Sequence, residues 1–75
     1  MVKNVEIGHA ILADTCIVLK NGTRYYVDNS IDNIKEQMDS ERELIEIEVT
    51  KLVSNKISRI SIKKEQIEEY YSIKN

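Results

Sequence analysis

Of the side chains that carry chemistry most often, this 75-residue chain holds one cysteine, Cys16, and one histidine, His9. A thiol nucleophile needs a base within hydrogen-bond reach, and His9 is the only imidazole that could supply it. Cys16, however, lies in the run Cys16-Ile17-Val18-Leu19, where a cysteine behaves as a small hydrophobe. His9 follows Gly8, a position that suits a turn or a rim. Carboxylates are plentiful: Glu46 and Glu48 stand two apart, and Glu68 and Glu69 are adjacent. General acid/base work needs an enclosed pocket that drives two such pKa values apart, and a solvated strand face does not provide one. Glu46 and Glu48 alone offer a hard cation no nitrogen ligand and no converging loop. One Cys and one His fall short of the four ligands of a structural zinc site, and no glycine-rich loop precedes a helix to cradle phosphate. The expectation is therefore a non-enzymatic chain with no catalytic residue, no metal and no cofactor.

Two other sets of residues could make contacts. Four tyrosines, Tyr25, Tyr26, Tyr70 and Tyr71, are the only aromatics, since Phe and Trp are absent. Tyrosine combines a large contact area with a hydroxyl and is enriched at protein interfaces, although it is equally at home at the rim of a core. The second set is basic: Lys51, Lys56, Arg59, Lys63 and Lys64 follow one another with no acid between them. Lys56, Arg59, Lys63 and Lys64 could track phosphates while tyrosines stack on bases. The acidic stretch just before, with Glu36, Asp39, Glu41, Glu43, Glu46 and Glu48 against Arg42, suggests instead that two antiparallel strands set opposite charges across from one another. A net charge of −2 gives no drive toward non-specific adhesion to nucleic acid or to acidic membranes.

The elements that must position these residues follow from punctuation and period. Asn21-Gly22 separates Cys16–Lys20 from Thr23–Val27, a β-hairpin signal whose two-residue type I′ loop would pair Leu19 with Arg24, Val18 with Tyr25, Ile17 with Tyr26 and Cys16 with Val27. That register puts Cys16, Val18, Tyr25 and Val27 on one face and Ile17, Leu19, Arg24 and Tyr26 on the other, so both faces need a cover. Asp28-Asn29-Ser30 offers N-caps for a short helix from about 31 to 39, with Ile31, Ile34 and Met38 on one stripe. Residues 43 to 53 alternate as a half-buried strand, with Ile45, Ile47 and Val49 inward. Ser54-Asn55-Lys56 would turn it into a partner strand at 57 to 62, with Ile57 out of phase at a bulge. Residues 63 to 73 read as a one-turn break and a short final strand, with a helix as the alternative. A first strand is expected near Val5 and Ile7, and Gly8 to Ala13 could be strand or buried turn.

One domain spanning residues 1 to 75 is expected, α+β and β-rich, built as a small antiparallel sheet or a partly open barrel. A core this small is marginal without a disulfide, a metal or a partner, which leaves self-association as the remaining support. With no apolar run of membrane-spanning length, no signal-like start and one unpaired cysteine, a cytoplasmic location is expected.

The corner Ile60-Ser61-Ile62-Lys63-Lys64-Glu65-Gln66-Ile67, together with the Asn21-Gly22 hairpin, resembles the layout of small SH3-like and Sm-like barrels. Twelve isoleucines with no Pro, Phe or Trp give a composition similar to that of small accessory proteins of Gram-positive phages and mobile elements. The resemblance implies a module that binds or inhibits a host protein, or assembles into a homo-oligomer. Its alternative is a small barrel that binds nucleic acid through the 51 to 64 stretch.

Overall fold

A computed structural model describes residues 5–51, 54 and 56–74. Six strands and one helix follow in the order β1 (Glu6–Ile7), β2 (Thr15–Leu19), β3 (Arg24–Val27), α1 (Ile31–Asp39), β4 (Leu44–Thr50), β5 (Ile57–Lys63) and β6 (Ile67–Ser72), with a 3₁₀ turn at Lys64–Gln66 between the last two. Four strands form one sheet in the order β1-β3-β2-β6, and β4 and β5 form a second sheet. The class is small, α+β and β-rich, as expected. It departs from an all-antiparallel sheet because β1 runs parallel to β3, and no closed barrel forms.

The β2–β3 hairpin forms, but with a longer loop than the two-residue type I′ turn. Leu19 N–H donates to the Thr23 carbonyl at 2.8 Å and Gly22 N–H to the Leu19 carbonyl at 3.0 Å, so the loop is Lys20-Asn21-Gly22. Gly22 carries the positive φ, +93°, that closes a three-residue hairpin loop. Asn21 Oδ1 accepts from Thr23 N–H at 2.9 Å and holds the turn from its side chain. One added loop residue moves the register by one: Ile17 lies opposite Tyr25, Cys16 opposite Tyr26 and Val18 opposite Arg24. The faces expected from the shorter loop are therefore wrong. Ile17 and Leu19 share the inner face with Tyr25 and Val27, while Cys16 and Val18 share the outer face with Arg24 and Tyr26.

Helix α1 begins at Ser30, whose hydroxyl accepts from Asn33 N–H at 3.1 Å, with Asp32 in the first turn where the helix dipole favours it. Its buried residue is Ile34. The β4–β5 pairing is regular from Leu44↔Lys63 to Thr50↔Ile57, so Ile57 is in phase and no bulge interrupts it. Ile57 faces solvent, 59 % exposed, opposite Thr50. Lys51 N–H bonds the Lys56 carbonyl at 2.9 Å. Leu52, Val53 and Asn55, expected at the strand end and in the turn, lie outside the described residues. The one-turn break and final strand expected after residue 63 are present, and β6 pairs antiparallel with β2. The amino-terminal strand is short, and residues 8 to 14 are turns and bends.

One core joins these pieces. Ile17, Leu19 and Val27 from the first sheet meet Ile45, Ile47, Val49 and Ile62 from the second, with Ile34 of the helix and Ile67 of β6. Ile7, Tyr25, Met38, Ile60 and Tyr70 pack around its margin.

Candidate interaction face

Adjacent strand residues point to opposite sides of a sheet, so each tyrosine doublet divides. Opposite Ile17 stand Tyr25 on β3 and Tyr70 on β6, both packed against the core. Opposite Cys16 stand Tyr26 on β3 and Tyr71 on β6. The four expected contact residues thus form two rows back to back, and Tyr25 and Tyr70 belong to the fold. Tyr26 and Tyr71 flank the fully buried Cys16 on the outer face of the sheet.

The next row of that face is Arg24, Val18 and Glu69, and Glu6 of β1 lies beside Arg24. Val18 is only 7 % exposed, whereas Arg24, Glu6, Glu69 and Tyr71 are exposed. The described helix and the second sheet pack on the opposite face, with Ile17, Leu19 and Val27. Cys16 is flanked by Tyr26 and Tyr71, and Val18 by Arg24 and Glu69, long amphipathic side chains of the kind that can shield apolar surface.

The polar atoms of the face are linked. The Tyr26 hydroxyl donates to Glu6 Oε1 at 3.2 Å. Burial, followed by this hydrogen bond, raises the Tyr26 pKa above the ordinary phenol value. Contact with the Cys16 thiol, followed by burial, raises that of Tyr71. Arg24 is held more firmly protonated by Tyr71 and by a hydrogen bond with Tyr26. At neutral pH the face therefore presents two neutral phenols and one fixed cation between carboxylates.

The basic set is scattered by comparison. Arg59 and Lys63 project from the solvent face of β5, which they share with Glu46 and Glu48 of β4. Arg59 pairs with Glu48 at 3.6 Å, among the described residues the one place where the expected complementarity across the strands is made; Ser61 stands opposite Glu46, and Leu44 opposite Lys63. Lys64 turns back to the helix end, where its Nζ donates to the Ser40 carbonyl and to Ser40 Oγ. Lys56 sits apart at the start of β5. These four residues do not converge on one surface.

His9 lines a cleft of about 590 Å³ between the end of β1 and the β4–β5 pair, with Ile7, Val49 and Ile60 as its apolar wall. Cys16 is not part of that cleft, and the two residues are not brought together as a nucleophile and base. Among the described residues no group of three or more His, Cys, Asp or Glu side chains is placed to hold a metal ion, and no helix is long and apolar enough to cross a membrane. Comparison with protein-family models, with curated proteins and with solved structures gives no match.

Proposed function

We propose that this chain is a non-enzymatic protein-interaction module whose contact surface is the outer face of the four-stranded sheet, centred on Tyr26 and Tyr71. The observation that carries this reading is the row Tyr26-Cys16-Tyr71, two amphipathic rings over a buried floor and beside Arg24, on the side of the sheet opposite the one on which the helix and the second sheet pack. Tyr and Arg are the residue types that most often dominate binding energy at interfaces, and rings already seated on a sheet lose little conformational entropy when a partner arrives. An accessory protein that binds or inhibits one host protein in the cytoplasm is the setting that the composition and layout suggest.

The test compares two baits. Wild type and the double variant Tyr26→Thr, Tyr71→Thr, both checked for folding by circular dichroism, are used to capture proteins from the source cell. The expected result is a specific protein held by wild type and bound at least tenfold more weakly by the double variant, with Tyr71→Phe intermediate. Equal capture by both baits would sink the tyrosine face. Micromolar, salt-sensitive binding of a fluorescent oligonucleotide, lost on replacing Arg59 and Lys63, would favour the nucleic-acid reading instead.

A further inference from the structure

The two edges of the β4–β5 sheet are treated differently. On β4, the outward backbone groups of Glu46 and Glu48 are met by polar groups of the helix and its entry. Glu46 N–H donates to Gln37 Oε1 at 2.7 Å and its carbonyl accepts from Gln37 Nε2 at 2.8 Å, while Glu48 N–H donates to Asn29 Oδ1 at 2.8 Å and its carbonyl accepts from Asp28 N–H, also at 2.8 Å. This edge is closed to further strands. Residues directly opposite in an antiparallel pair either exchange both hydrogen bonds or turn both sets of groups away. Ser61 and Arg59, opposite Glu46 and Glu48, therefore turn theirs outward from β5. Among the described residues no hydrogen bond reaches them, and both residues are exposed.

We infer that this outer edge of β5 pairs with β5 of a second copy, antiparallel about a two-fold axis, with Arg59 opposite the partner's Ser61 and Ile60 opposite the partner's Ile60. The inference rests on the reading of the chain as an interaction module and names one partner, the chain itself, on a surface separate from the tyrosine face. Charge selects the register. The outward-turned positions are Ile57, Arg59, Ser61 and Lys63, and a strand that keeps its faces can slide only by two. Sliding one way sets Arg59 against the partner's Arg59, and sliding the other way sets Arg59 against the partner's Lys63; like charges directly opposite are destabilising. In the central register each cation meets a neutral residue, and the methylene stem of Lys63 covers the exposed Ile57 of the partner. On the opposite side of the strand the half-buried Ile60, at the margin of the core, packs on its own copy. The product is a closed four-stranded sheet, β4-β5-β5-β4, whose outermost edges are the two sealed by Asn29 and Gln37.

Light scattering across a concentration series, from low micromolar to millimolar, decides the point on the full chain. Wild type is expected to be a dimer at the upper end. Ser61→Pro removes only an outward N–H, a position at which an edge strand tolerates proline, so it should stay folded by circular dichroism and become monomeric. Ser61→Lys should weaken the dimer, and Ser61→Glu, which adds two cross-strand ion pairs with Arg59, should tighten it by roughly two- to thirtyfold. A strict monomer at all concentrations, a dimer that survives Ser61→Pro, or the same direction of change for Ser61→Lys and Ser61→Glu overturns the inference. If Ser61→Pro fails to fold, the lysine and glutamate pair decides alone. Loss of the dimer in the Tyr26→Thr, Tyr71→Thr variant would move self-association to the tyrosine face, ending the edge inference while leaving the interaction reading intact.

Discussion

Tyr26 and Tyr71 show how a few ångströms decide what a residue is for. Each has a neighbour on the same strand, Tyr25 or Tyr70, of the same type and the opposite fate. The rings on the outer face keep their hydroxyls in a small polar network, and that network has a measurable signature. The Glu6 carboxylate accepts a hydrogen bond from the Tyr26 hydroxyl, and its charge opposes phenolate formation. Glu6→Gln should therefore bring the Tyr26 ionisation down toward the unfolded value of about 10, read as tyrosinate absorbance in an alkaline titration. The stability sign follows. A phenol whose folded pKa lies above its unfolded one contributes stability that is complete below about pH 10 and is lost as pH climbs through the raised value. The phenols should thus leave the wild-type denaturation midpoint unchanged between about pH 8 and 9 and lower it above pH 10, with a shallower fall in the variant. Gly8 is constrained in a different way. With φ at +92°, a β-carbon there would also collide with the Tyr26 carbonyl oxygen. Gly8→Ala should destabilise by more than the roughly 1–2 kcal/mol of left-handed backbone strain alone, measured by urea denaturation. The division of the tyrosines could have been read from the sequence, because adjacent strand residues always part. The pairing of Tyr26 with Cys16 could not, since it depends on one residue of loop length.

Among the elements, helix α1 does more than cover the core with Ile34. Asn29, Asn33 and Gln37 recur at intervals of four, and their amides bond one another as well as the edge of β4: Asn29 Nδ2 and Gln37 Nε2 both donate to Asn33 Oδ1 at 2.8 Å. This amide row takes the place of a neighbouring strand. Gln37→Ala would release the N–H of Glu46 to solvent and leave its carbonyl only the longer bond from Asn29 Nδ2, at 3.3 Å; water replaces part of the bond energy, so a loss of about 0.5–1.5 kcal/mol is expected. The second consequence is an exposed strand edge, which invites pairing with other chains. Gln37→Ala should accordingly show larger species in light scattering than wild type at the same concentration. The helix, its cap region and the alternation of β4 were legible because each is a local pattern: a cap residue, a stripe at helical spacing, a period of two. The 3₁₀ turn and final strand were legible for the same reason. The β2–β3 register was not, because Asn-Gly fits both the first two positions of a type I′ loop and the last two of a three-residue loop. Lys20 decides between them only through hydrogen bonds made on folding. Asn29 and Gln37 carried no signal for their role, as polar residues at a helix surface read as solvated.

For the whole molecule, the decisive fact is how little core holds two sheets and a helix together. A domain of this length has a stability of roughly 4–11 kcal/mol at typical values per residue. The fully buried side chains that join the sheets are few, with Ile17 and Val27 on one side, Ile45 and Ile47 on the other, and Ile34 at the helix. Removing the side chain of a buried isoleucine costs about 2–5 kcal/mol, because the cavity does not fully collapse. Ile47→Ala should therefore take away a large part of the total and leave a measurable unfolded fraction at ambient temperature, read from the baseline of a urea titration. The same logic separates a self-sufficient monomer from a chain supported by its copy. If β5 pairs between chains, folding and dimerisation are linked, and the unfolding midpoint must rise with protein concentration. Ile47→Ala should sharpen that dependence, since the monomer then has little stability of its own while the β5 edge, on which Ile47 makes no outward contact, is unchanged. Adding Ser61→Pro to Ile47→Ala should abolish the dependence and lower the midpoint to a single value at every concentration. An Ile47→Ala midpoint that does not move with concentration would show that the small core stands alone and that no second copy contributes to it.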